Sequence, residues 1–112
     1  MSAAALRAVS EPRRRQILRL VWDRERPAGD IAASFDVTFG AVSQHLRVLH
    51  DAGLVSVRRD GRRRLYRARR EHLGPLADVL EGLWRDRLED LKALAEAEER
   101  VPGAEPGRVA GA

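Results

Sequence analysis

Apolar residues recur along this chain at two periods, and each period predicts its own element. Over "EPRRRQILRLVW", Ile17, Leu18, Val21 and Trp22 fall three and four apart, the stripe of an amphipathic helix. Pro12 suits its first turn, where the missing N–H costs nothing, and Ser10 is placed to cap it. "SAAALRAV" predicts a short helix before it. "AGDIAASF" predicts another short helix that turns Ile31, Ala32 and Phe35 inward and stops at Asp36. Thr38 then caps a helix in which Val42, Leu46 and Leu49 share one face, with Ala52 beside them and Gly53 as the residue just past its end. Over "LVSVRRDGRRRLYRARR" the period becomes two: Val55 and Val57 alternate with Ser56 and Arg58. Asp60-Gly61 predicts the two-residue turn of a hairpin, and Tyr66 rather than Leu65 is expected inside. From Leu73 to Glu98 a long helix carries Leu76, Leu80, Leu83, Trp84, Leu88, Leu91 and Ala95 on one stripe.

This order of elements predicts a mainly α fold with a small β-hairpin, a winged helix-turn-helix. The face of the Thr38-capped helix opposite its leucines holds only Gly40, Ser43, Gln44 and Arg47, small or polar groups suited to a DNA groove. Gln44 can pair with adenine N6 and N7, Arg47 can reach guanine O6 and N7 or a phosphate, and Ser43 can bond either. Gly40 would let the helix start approach the sugar-phosphate chain, where backbone N–H groups favour an anion. Thr38 and Phe39 stand at the same end; Phe39 could touch a thymine methyl or pack under the turn. His45 lies at the edge of the buried face, with packing favoured over a base contact. His50 and His72 are expected to be ordinary surface histidines. The hairpin directly after this helix would be a wing, with Arg59, Arg62 and Arg63 at its tip against phosphates or the minor groove. The last helix, about 36 Å long at 1.5 Å per residue, exceeds what so small a core can cover and calls for a partner helix. Beyond it "VPGAEPGRVAGA" has little to bury. Residues 1–98 are therefore expected to form one DNA-binding and dimerisation domain, and residues 99–112 a disordered tail.

Charge changes the picture by its distribution. The net charge of +4 divides into +9 over residues 1–70 and −5 over residues 71–112. Because 20 of the 21 basic residues are arginine, a skew that a GC-rich genome also produces, position matters more than number. Eight arginines fall between Arg58 and Arg70 against one acid, Asp60, the footprint of nucleic-acid binding. The chain has no cysteine, which excludes disulfides, thiolate metal sites and thiol redox chemistry. No apolar run approaches the roughly 18 residues of a membrane span, and the first residues lack the order of a secretory signal, so a cytoplasmic location without membrane contact is expected.

The run "AVSEPRRRQILRLV" followed by "DIAASFDVTFGAVSQHLRVLHDAGLVSVRRDGRRRLYRA" resembles the arsenical-resistance-repressor (ArsR) family of bacterial winged-helix regulators. The resemblance covers about residues 4 to 95, and its most specific pieces are "VSQHLRVLHDAGLV" and "RRDGRRRLYR". It implies a homodimer joined through the first and last helices, with Leu6 on the first, that binds an imperfect palindrome in its own promoter and represses it. Metal-sensing members carry a cysteine motif where this chain reads "GDIAAS", or an Asp/His set on the last helix. Neither is present here, since His72 has no second histidine downstream, so the resemblance is to a metal-free branch. Many members also have Gly where this chain has Asp36, and Gln-Pro where it has Phe39-Gly40. Those differences bear on the operator sequence.

The expected function is that of a sequence-specific dimeric regulator of transcription, with double-stranded DNA and a second copy of the chain as partners. A winged-helix module for protein contact without specific DNA binding is the alternative. No metal or other cofactor is expected, and the effector, whether small molecule or protein, is left unidentified. An enzyme is the poorest reading: there is no phosphate-binding glycine loop, no cysteine nucleophile and no histidine with an evident base, so no catalytic residue is assigned.

Overall fold

The computed structural model describes residues 2–99. In chain order it has α1 (Ala3–Ser10), α2 (Pro12–Leu20), β1 (Arg26–Pro27), α3 (Ala28–Ala33), α4 (Phe39–Asp51), β2 (Val55–Asp60), β3 (Arg63–Ala68), α5 (Arg70–Leu73) and α6 (Pro75–Glu99). The chain divides after Ala77 into two units. The tail expected over 99–112 lies, from residue 100 onward, outside the described residues.

In the first unit, helix ends are closed by specific side chains. The Ser2 hydroxyl accepts from the Ala5 N–H at 3.0 Å and starts α1. Ser10 does not cap α2 as expected, because α1 runs through it and its hydroxyl donates back to the Arg7 carbonyl at 2.7 Å. Glu11 is the N-cap instead, extended at φ −87° and ψ 121°, with its carboxylate accepting from the Arg13 N–H at 2.9 Å. The four carbonyls that end α1 have no backbone N–H partner within the helix. Two arginines of α2 supply them. Arg14 donates to the Ala8 and Arg7 oxygens at 2.7 and 3.2 Å, and Arg15 to those of Val9 and Ser10 at 2.8 and 3.2 Å. Arg13 turns the other way and stacks over Phe35, which is half-buried after α3.

The core follows the apolar stripes. Ile17, Leu18 and Val21 of α2 and the residue after it, Ile31 of α3, and Val42, Leu46 and Leu49 of α4 are buried together with Leu54, Val55 and Leu65. Complete burial of each such side chain contributes roughly 1.5–3 kcal/mol. At the end of α4, Gly53 takes φ +78°, which a side chain would disfavour. The Leu54 N–H reaches the Leu49 carbonyl and the Gly53 N–H the His50 carbonyl, both at 2.9 Å, while Leu49 and Leu54 are both buried beside the turn. This reversal sets the direction in which β2 leaves the helix.

The sheet has three antiparallel strands in the order β1-β3-β2. The short strand β1, absent from the sequence prediction, pairs Arg26 with Tyr66 and Pro27 with Leu65. Two residues carry too little periodicity to show, and Pro27 is tolerated because β1 is an edge. The hairpin turn is one residue later than expected: Asp60 pairs with Arg63, so the loop is Gly61-Arg62. Gly61 at φ +66° is then the first central residue, the position that needs glycine when only that residue has positive φ. Leu65, not Tyr66, is buried in β3, at 5 % exposure. Leucine has no polar atom to satisfy, whereas the tyrosine hydroxyl finds no protein partner among the described residues and stays at the half-exposed surface. The far end of β3 is held by backbone bonds from Ala68 to Val21 and from Arg69 to Leu54, at 2.9 and 2.8 Å.

Gly74, at φ +54° and ψ −131°, separates α5 from α6, and Pro75 opens the long helix. Taken by itself, α6 runs 25 residues and leaves Val79, Leu83, Leu91 and Leu94 exposed, while Leu80 is buried. The side chain of Leu88 is outside the described residues. No helix among the described residues is long and apolar enough to cross a membrane.

Candidate nucleic-acid interface

Helix α4 is positioned from both ends and one side. Thr38 caps it, its hydroxyl accepting from the Ala41 N–H at 3.1 Å. The Gly53 reversal closes the other end, and the buried Val42, Leu46 and Leu49 hold its inner face. Gly40, Ser43, Gln44 and Arg47 are consequently exposed on its outer face, as the helical period requires. Phe39, the first residue of the helix, is 57 % exposed, so it does not pack under the turn. His45 is half-buried at the edge of the inner face, with Nδ1 3.3 Å from the Arg14 guanidinium. A Cβ on Gly40 would meet only the Thr38 hydroxyl, at 3.9 Å. The protein's own packing therefore does not demand glycine there.

The outer face of α4 and the hairpin β2-β3 enclose a hollow of about 560 Å³. Gly40, Ser43, Gln44 and Arg47 line one wall, and Arg58, Arg59, Arg64 and Tyr66 the other. His50 and Asp51 close one end. A second hollow of about 430 Å³ is bordered by Phe39, Pro27 and the run Arg62 to Arg64. Ser43, Leu46, Arg64 and Tyr66 border both, so they form the ridge between the two.

The wing arginines divide into two groups. Arg58 is held by Glu25, its Nε 3.0 Å from both carboxylate oxygens and its Nη2 also on Oε1. That hydrogen bond, opposed by desolvation and reinforced by the charge of Arg58, keeps the Glu25 carboxyl below its ordinary range and raises the Arg58 guanidinium. Arg63 lies 3.4 Å from Asp60 across the turn. Arg59, Arg62 and Arg64 have no acidic partner among the described residues, and Arg59 and Arg64 stand directly opposite each other in the register. Like charges in that arrangement repel. Of the tip residues expected from sequence, Arg59 lines the first hollow, Arg62 and Arg63 the second, and Arg63 is committed to Asp60. Arg64, whose face strand alternation left open, and Tyr66, expected inside, both border the two hollows. Placing the turn at Gly61-Arg62 would have revealed Arg64, because that register sets it across from Arg59.

The residues expected at a subunit contact separate by exposure. Leu6, Leu83 and Leu91 are exposed, Leu76 and Trp84 are half-buried, and Leu80 is covered within the chain itself. Among the described residues no group of three or more His, Cys, Asp or Glu side chains could hold a metal ion.

Comparison with known proteins bears on this arrangement. The sequence profile of the bacterial regulatory protein arsR family matches residues 11–57, from the cap of α2 into β2. The chain is 40 % identical over 55 residues to the transcriptional repressor SdpR of Bacillus subtilis, a match spanning 49 % of this chain and 61 % of that repressor, under two-thirds of its length. It is 32 % identical over 84 residues to the HTH-type transcriptional regulator YgaV of Escherichia coli, covering 74 % of this chain and 85 % of the relative. Among solved structures, the homodimeric winged helix-turn-helix DNA-binding domain of a Mycobacterium bovis protein superposes with a TM-score of 0.65 at 31 % identity, over 77 % of this chain and 80 % of that one. With its recognition-type helix, basic wing and this degree of relatedness, the chain belongs to the arsR family of bacterial winged helix-turn-helix transcriptional regulators.

Proposed function

We propose that this protein is a sequence-specific repressor that acts as a homodimer on an imperfect palindrome in its own promoter, in the cytoplasm. In this reading α4 enters the major groove, with Thr38, Phe39, Gly40, Ser43, Gln44 and Arg47 at base edges and the adjoining phosphates, and the wing lies along the backbone or minor groove through Arg59, Arg62 and Arg64. The observation that carries it is the facing pair Arg59 and Arg64. As like charges directly opposite they repel each other, have no ion-paired acid among the described residues, and share a hollow with Ser43, Gln44 and Arg47. A phosphate between the two guanidinium groups would turn that repulsion into two charge-assisted hydrogen bonds. The exposed Leu6, Leu83 and Leu91 support the second copy, since a palindrome is read by a symmetric pair. No catalytic role and no cofactor belongs to this reading.

The test is binding of the purified protein to roughly 200 bp upstream of its own coding sequence, against scrambled DNA, over a series of salt concentrations. Footprinted binding to one palindrome, at least about 10³ tighter than to the control, is the expected result. Weak, uniform binding abolished by moderate salt would reduce the arginines to a source of charge and favour a winged-helix module for protein contact.

A further inference from the structure

Arg14 touches three things at once. Its Nε and Nη2 donate to the Ala8 and Arg7 carbonyls at the end of α1, and its Nη1 lies 3.3 Å from Nδ1 of His45 on α4. A guanidinium has donors only, so His45 must present Nδ1 as an acceptor. All three elements lie within the first unit, and both side chains are half-buried. Arg14 is therefore a bridge between α1, which has the exposed Leu6 on its outer side, and the helix that carries Ser43, Gln44 and Arg47. His45 is flanked in sequence by Gln44 and lies one turn before Leu49. Its ring therefore sits between the outer face of α4 and the buried one.

We propose that Arg14 and His45 are positioning residues for DNA reading: the pair fixes the rotation of α4 against the end of α1, and His45 makes no base contact of its own. The inference rests on the proposed DNA-binding function for its consequence, though not for its geometry. It also offers a route by which a change at α1, such as subunit association, reaches the recognition face, because the carbonyls that end α1 and the acceptor on α4 share one guanidinium.

The experiment is a double-mutant cycle of Arg14→Gln and His45→Ala in the full chain, with His45→Asn as the conservative variant, because its amide oxygen occupies a place close to that of Nδ1. Two readouts are taken below the unfolding temperature of each variant: affinity for a panel of half-site sequences at several salt concentrations, and thermal stability. A third is the ¹⁵N spectrum of the wild-type imidazole. His45→Ala should bind roughly 5- to 30-fold more weakly, equivalent to about one or two kcal/mol. It should do so at every half-site variant alike, with the wild-type salt slope. His45→Asn should recover most of the loss, and Arg14→Gln should add little once His45 is alanine. A changed base preference in His45→Ala would make His45 a base-reading residue and overturn the proposal. Strictly additive losses in binding would overturn it too, as would a spectrum showing Nδ1 protonated. If wild-type protein fails to prefer any sequence, the DNA-binding reading fails by itself. Coupling in the stability cycle and the imidazole spectrum then still decide whether the bridge exists.

Discussion

At the scale of single residues, exposure and pairing separate side chains that look alike in the sequence. Gln44 and Arg47 are exposed on a helix whose other side is fully packed, so neither stabilises the fold. Gln44→Ala should therefore leave thermal stability unchanged while costing about 1–3 kcal/mol of specific binding and relaxing base preference at one position of each half-site. Selection of bound sequences from a randomised pool checks this, and an unaltered preference would remove Gln44 from the base contacts. The wing arginines make a sharper contrast. Arg64 faces Arg59 without an acid, whereas Arg63 is spent on Asp60. Arg64→Ala should lower the slope of log K against log salt by about 0.9, the share of one phosphate, and Arg63→Ala should lower it much less. Equal slopes in the two variants would mean that the Asp60 pair opens on DNA.

At the scale of elements, two joints set where the wing points. The first is the reversal after α4. Gly53 has room for a Cβ, whose nearest neighbour would be the His72 ring at 3.5 Å, so the penalty of a side chain is conformational rather than steric. Gly53→Ala should lower stability by about 1–2 kcal/mol in denaturant unfolding, and Gly53→Asn by less. The second joint is the Glu25–Arg58 pair, which pins β2 to the segment preceding β1. The carboxyl of Glu25 is held below its ordinary value by the Arg58 hydrogen bond. Its contribution is thus complete above the ordinary glutamate value of about 4.3 and is lost as pH falls through the lowered folded value. Amide protection in β2 and β3, with the intrinsic pH dependence of exchange divided out, should fall over that acidic window in the wild type. In Glu25→Gln it should already be low at neutral pH, with no such window. A hairpin equally protected in both would show that Glu25 does not hold the wing.

At the scale of the whole molecule, the apolar residues left exposed bear on assembly. Leu83 and Leu91, 42 % and 63 % exposed on α6, are among the apolar side chains of that helix that a second chain would gain from burying. Leu83→Glu should give monomers by sedimentation and, with one half-site per molecule, a marked loss of affinity for a palindrome but not for an isolated half-site. Persistence of the dimer would place the contact elsewhere, with Leu6 of α1 the next residue to change.

Sequence by itself determined the helices other than the short α5, the outer face of α4 and the basic hairpin, because each depends on local properties: a period of 3.6 or 2, a capping hydroxyl, a glycine at positive φ. Thr38, Gly53 and the stripe Val42, Leu46 and Leu49 were legible for that reason. Tertiary structure decided what depends on residues distant along the chain. Glu11 rather than Ser10 caps α2 for a local reason that the pattern did not show, since the carbonyl of Arg7 engages the Ser10 hydroxyl, but tertiary structure made the other choices. It added β1, whose two residues are strand only because β3 is there to pair with them. It set the hairpin turn one residue later than expected and, separately, buried Leu65 where Tyr66 was expected inside. It also divided two runs of arginines: Arg14 and Arg15 became caps of α1, while the wing run separated into a pair with Glu25, a pair with Asp60 and the facing Arg59 and Arg64. The reason is physical: a guanidinium on a long flexible chain takes whichever acceptor the fold brings within about 3 Å, and no spacing along the sequence encodes that distance.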